Sequence, residues 1–154
     1  MNMKRIALTT LTAGALALQA WGNPAHPVAR PFWGIATVTW TINMLTGEAT
    51  GNETGAATYL GNYLNESTAI YSTDPANFGI VSATGTVTTA DGDQCFWVMT
   101  PDQPGVVQVT GGTGRFEGLT GELAAVSSEE PIISVAFPIM TVTLTYKAAG
   151  TLTY

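Results

Sequence analysis

From Trp33 onward the chain alternates. In WGIATVTWTINM, Ala36, Val38, Trp40, Ile42 and Met44 fall on one side of an extended backbone, and Thr37, Thr39, Thr41 and Asn43 on the other. This period of two marks a strand with one covered face. The C-terminal run repeats it over a longer span: Met140, Val142, Leu144, Tyr146, Ala148, Leu152 and Tyr154 alternate with Thr141, Thr143, Thr145, Lys147, Thr151 and Thr153. Between these runs the pattern predicts strands over Ala57–Tyr71, Gly79–Thr89, Asp93–Thr100, Gly105–Thr110, Leu119–Ser127 and Ile132–Phe137. Turn chemistry separates them. Asp91-Gly92 suits the tight hairpin turn whose twist matches its strands, and TPDQPG at Thr100–Gly105 is a second turn. No stretch carries a helical period. Eight Thr-rich strands in an open sheet would leave long unpaired edges, so the expected fold is all-β, an eight-stranded antiparallel closed β-barrel over 33–154. A sandwich is the alternative.

The first residues follow another pattern. MNMKR is basic, the run from Ile6 to Ala20 is apolar and uncharged, and it ends in small residues. That is the layout of a signal peptide over 1–20, which predicts a secreted or periplasmic protein without a membrane span. WGNPAHPVARP follows, and its prolines predict an extended leader over 21–32 that contains His26.

Composition narrows the function. Only 10% of the 154 residues are charged, 45% are hydrophobic, and the net charge is −6. No basic stripe exists to neutralise phosphates, which excludes nucleic acid as a partner. The single histidine lies in the leader, so His-based nucleophilic triads and most zinc or iron sites are excluded. Cys95 is the only cysteine and reads as a buried apolar residue. Asn52 and Asn65 fit the glycosylation sequon. Among Glu48, Glu53, Glu66, Glu117 and Glu122, most fall at predicted turns or strand ends, where solvent-facing charge is expected. Asp91 and Asp93 read as a solvated hairpin, since two carboxylates lack the further oxygens that calcium takes.

One stretch stands apart. VTGGTGRFEGLTGE sets Gly111, Gly112, Gly114, Gly118 and Gly121 around a lone Arg, Phe and Glu. A phosphate loop needs a Lys-Ser/Thr after its last glycine, and a dinucleotide fingerprint must open a helix; neither follows here. The glycines therefore read as a corner between two barrel strands, with Phe116 plugging the barrel end and Arg115 and Glu117 facing solvent or pairing locally.

This segment resembles the GGSGxFEGxxGQ run of plant allene oxide cyclases, the GGTGxF run of dirigent proteins and the GxxGRxxGLTG of bacterial spirotetronate-type barrel cyclases. FGIVSATG (Phe78–Gly85) is similar to the cyclases' GHISVQG, and GAATYLGNY (Gly55–Tyr63) resembles a GxxTHLG element with Tyr59 in place of histidine. The resemblance implies a barrel whose lumen holds one small apolar molecule, with no cofactor and no metal. It also implies association into a dimer or trimer. The functions it implies are a cofactor-free cyclase or isomerase folding a reactive polyene or epoxide, a non-catalytic carrier, or a dirigent-like protein that orients radical coupling. Large residues on predicted strands supply the candidate lumen wall: Tyr59, Tyr71, Trp97, Met99 and Tyr146. TIN at Thr41–Asn43 is similar to the cyclases' Glu-Ile-Asn, keeping the Asn and replacing the Glu. That match implies that Thr41 and Asn43 face the lumen, whereas burial logic would turn Trp40 inward. The family orientation is the expectation carried forward.

Overall fold

The computed structural model describes residues 27–154; the expected signal segment, and His26 in the leader, lie outside the described residues. Nine strands follow in order: β1 (Ala29–Asn43), β2 (Glu48–Ala57), β3 (Gly61–Tyr71), β4 (Ile80–Thr89), β5 (Gln94–Met99), β6 (Val106–Gly112), β7 (Thr120–Ser127), β8 (Ile132–Ala136) and β9 (Ile139–Thr153). The only helical pieces among the described residues are two 3-10 turns, Pro75–Asn77 and Gly114–Phe116. None of them is long and apolar enough to cross a membrane.

Neighbouring strands pair antiparallel throughout, and β1 pairs with β9 from Ala29↔Thr153 to Asn43↔Ile139. That last ladder closes the sheet into an eight-stranded antiparallel barrel of β1–β7 and β9, as the alternation predicts. β8 is not a stave. It continues the line of β7 along the same side of β9: β7 takes the half from Tyr146 to Thr153, and β8 takes Ile139 to Thr143.

The strand count of eight thus comes from a different set of strands than the sequence pattern suggests. β2 is a full stave that the pattern passes over, and Ile132–Phe137 is the extension rather than a stave. The reason is chemical: the inward residues of β2 are Ala49, Gly51, Glu53 and Gly55, none of them large or apolar enough to show alternation. Gly51 is small by necessity, because a Cβ there would meet the Trp40 ring and Ser67 Oγ. Likewise the run expected as one strand from Ala57 to Tyr71 is broken by a turn at Thr58–Leu60, where Tyr59 and Gly61 both take positive φ. The strand β1 also starts at Ala29, so residues 29–32 belong to the barrel and not to a leader.

Two apolar clusters fill the cylinder. One, around Phe32, Leu60, Val109, Phe116, Leu119 and Leu152, seals one end. The other, around Val38, Trp40, Ile42, Ala69, Tyr71 and Met140, occupies the opposite half. Trp97 packs against both. The five clustered glycines lie where β6 turns into β7, and the 3-10 turn between them delivers Phe116, fully buried beside Leu119. Arg115 does pair locally: it reaches Asp93 at 3.3 Å and Asp91 at 3.5 Å, tying this corner to the β4–β5 turn.

Gly114 holds φ +57, and a Cβ there would run into the Asp93 carboxylate. Gly114→Ala is expected to destabilise the barrel by about 2 kcal/mol through backbone strain and that contact. Urea unfolding measures it, and a change within 0.5 kcal/mol of zero (roughly the level of a neutral surface substitution) would show that the corner is loose.

Candidate functional site

The lumen owes its polar centre to a row of small residues. Across four adjacent strands Tyr146 pairs with Ala36, Ala36 with Gly55, and Gly55 with Tyr63. All four lie on the inner face, with two residues of little bulk between two tyrosines. Both phenols can therefore lean over Ala36 and Gly55 toward the next inward position of β2, which is Glu53, itself opposite Asn65 on β3.

Three donors converge there. Tyr63 donates to Glu53 Oε1 at 2.8 Å, Tyr146 to Oε2 at 2.7 Å, and Asn65 Nδ2 to Oε2 at 3.1 Å. The indole Nε1–H of Trp97 donates in turn to Asn65 Oδ1 at 3.1 Å, which fixes the orientation of that amide. Glu53 and Asn65 are 6% and 3% exposed. Burial, followed by the Glu53 charge beside them, holds both phenols well above the usual tyrosine range, so they keep their protons at neutral pH.

The cluster borders a cavity of about 190 Å³ whose other walls are apolar apart from Ser127: Trp40, Val87, Cys95, Trp97, Met99, Val109, Leu123 and Leu144 among them. Glu53 is the one charged residue among the described residues that line it. A wider groove of about 760 Å³ is lined by the exposed hydroxyl row Thr41, Thr50, Thr68 and Thr84. It is broad and open and gathers no convergent polar centre, so the lumen is the better candidate despite its smaller volume.

The expected site residues divide. Trp97, Met99 and Tyr146 line the cavity. Tyr71 is buried but lies off it, edge-on to Trp40 at 6.0 Å and beside Phe78. Burial pushes its phenol up as well. Tyr59 sits in the β2–β3 turn with its ring 6.0 Å from the Arg30 guanidinium. Thr41 and Asn43 correct the expectation: they point away from the lumen, because Trp40 and Ile42, 4% and 1% exposed, take the inner face of β1. The Asn43 side chain caps the following turn, accepting from Leu45 N at 3.0 Å. Burial logic, not the family orientation, decides this strand.

Glu53 and Asn65 are the residues that sequence reasoning placed elsewhere, one as surface charge and one as a sequon. Asn65 faces the barrel interior, where a glycan has no room. A signal for Glu53 was present: Gly51-Asn-Glu-Thr-Gly55 puts an acid between two glycines on one strand face, and paired glycines mark the face that larger neighbours cover. Cys95 is buried in the lumen wall as expected, its thiol pushed up to about 11 by burial, so it is not a thiolate nucleophile at neutral pH.

The fold and site together define a closed antiparallel barrel with one luminal carboxylate held by two phenols. Comparison with protein-family models, curated proteins and solved structures finds no match to this chain.

Proposed function

We propose that the lumen takes up one small, mostly apolar organic molecule and that the Glu53–Tyr63–Tyr146 cluster engages an oxygen function on it. The observation that supports this reading is a hydrogen-bonded carboxylate set into a largely apolar wall beside open space. In a plain core such a group is a desolvation liability, whereas beside a cavity it orients a guest. Apolar cavities of ~150 Å³ hold a benzene ring. A space of about 190 Å³ suits a guest of that order, one ring with a short substituent, and not a long extended polyene.

Within this reading the chemistry is cofactor-free isomerisation or ring closure. Tyr146 turns its hydroxyl from Glu53 to a carbonyl or epoxide oxygen of the guest and polarises or protonates it. Glu53 receives the proton released at carbon and returns it through the phenol, so the cluster ends each cycle in its starting state. The apolar walls supply the folded, near-attack shape. A carrier that binds without transforming is the second reading. It is favoured by one observation: every buried side-chain nitrogen and oxygen among the described residues already has a partner without a guest.

Trp40 and Trp97 line the cavity, so their fluorescence reports occupancy. Ring-sized ketones, alcohols and epoxides are expected to change it and to raise Tm. Tyr146→Phe is expected to weaken oxygenated guests roughly tenfold while leaving matched hydrocarbons unchanged. Product analysis separates the two readings. If an epoxide is turned over, the same variant is expected to slow it roughly 100-fold. Binding without product supports carriage, and no response across the panel would sink both.

A further inference from the structure

Barrel closure pairs β1–β7 and β9 on both sides, but among the described residues β8 has a partner, β9, on one side only. Its other edge carries free backbone donors and acceptors at every second residue. All five residues of β8 are exposed. Ile132, Ile133, Val135 and the adjoining Phe137 are 73%, 56%, 58% and 72% exposed, so the face of Ile133, Val135 and Phe137 is apolar and Ile132 adds an exposed apolar side chain to the other, beside Ser134. No charged residue occurs between Glu130 and Lys147. Natural edge strands are usually blunted with charge; this one is not.

From this geometry we infer that β8 pairs edge to edge with β8 of a second copy of this chain, antiparallel, extending the sheet across a two-fold axis. Several observations choose that occupant and that arrangement. Pro131 and Pro138 lack an N–H and bracket the strand, so the pairing is confined to a short, defined length. The described residues of each chain offer one such edge, so pairing exhausts it and yields a closed dimer instead of a trimer or fibre. Glu129 and Glu130 precede β8, both exposed. A parallel pair would crowd four carboxylates, whereas an antiparallel pair sets each acidic end opposite the uncharged Phe137–Pro138 end. Antiparallel pairing about Ser134 sets the exposed Ile133 of one copy beside the exposed Val135 of the other on a shared face, an apolar match that a second copy of this strand supplies by itself.

The test is sedimentation velocity on the purified protein over a dilution series, with two variants. The wild type is expected to sediment at the mass of a dimer. Val135→Lys sets cations near each other across the two-fold axis and is expected to weaken the dimer at least ~10-fold with Tm unchanged, since the site is exposed. Ser134, at the middle of β8, lies near its own copy in the antiparallel pair, so Ser134→Cys is expected to form a disulfide-linked dimer on mild oxidation while buried Cys95 stays reduced. A monomer or trimer in the wild type would overturn the inference. So would a dimer indifferent to V135K, a dimer of S134C that fails to cross-link, or a monomer that instead binds phosphatidylcholine vesicles.

Discussion

Glu53→Leu is expected to lower stability by about 4 kcal/mol, although the substitution removes a buried charge. The Tyr63 and Tyr146 hydroxyls and Asn65 Nδ2 all donate to that carboxylate, and leucine leaves them facing an apolar wall. Each buried donor without a partner costs about 1–3 kcal/mol, partly recovered if the two phenols turn toward one another. Relief of the carboxylate's desolvation offsets some of the rest. Against a total stability of roughly 5–15 kcal/mol, the variant is left marginal. Removing acceptor and donors together is different. Glu53→Leu/Tyr63→Phe/Tyr146→Phe leaves only the Asn65 amide unpaired and is expected to regain at least ~2 kcal/mol over the single variant. Urea unfolding of the set measures the coupling. A Glu53→Leu protein that unfolds with the wild type, or a triple variant less stable than the single, would mean that the cluster is not held as a unit.

This cluster also explains where the chain was legible and where it was not. β1 and β9 could be read directly, because large apolar residues alternate with threonine along both and their ladder closes the barrel. β2 could not. Its inner row was reduced to Ala, Gly and Glu so that Trp40, Tyr63 and Tyr146 could occupy the space above it, and that exchange erases the alternation that would have announced a strand. The polar centre of the lumen therefore sits on the strand with the weakest sequence signal. β8 failed in the reverse sense: IISVAF looks like a buried strand in sequence, yet all five strand residues lie on the surface. Strong apolar character predicts that a strand will be covered, and sequence alone does not say whether by its own chain. In the glycine stretch the large residue is Phe116, and the 3-10 turn among the glycines carries it into full burial.

Thr41 and Asn43 show which argument carries more weight when two conflict. A three-residue likeness placed them inside, while the volumes of Trp40 and Ile42 required the same face. Burying those two side chains is worth roughly 2–3 kcal/mol each, and a one-residue slip would expose the entire inner row of β1. No polar contact of Asn43 approaches that. The lumen acquires its polarity from β2, β3 and β9 instead, on the side where small residues leave room.

The same phenols give the fold a steep alkaline limit. Below pH 10.0, the ordinary tyrosine value, Tyr63 and Tyr146 are protonated in folded and unfolded chains alike and add no pH dependence. Above it the unfolded chain ionises them, while in the barrel burial and the Glu53 charge keep them neutral. The unfolded state then binds fewer protons than the folded one, and stability falls as pH rises, by about 1.4 kcal/mol per unit for each phenol. Two such groups give about 2.7 kcal/mol per unit, enough to unfold a domain of ordinary stability near pH 12. The Cys95 thiol, moved from 9.0 to about 11, adds loss of the same sign between those values, and Tyr71 contributes likewise above 10.0. Urea unfolding at intervals from neutral pH upward is expected to give a plateau, then a decline that starts near pH 9 and steepens beyond 10. In Tyr63→Phe/Tyr146→Phe the slope above pH 10 is expected to fall by about half, with the Cys95 portion intact. Stability that stays level well past pH 11 would mean that the two phenols reach solvent in the folded protein, and Glu53 would then be a surface carboxylate with no part in the lumen.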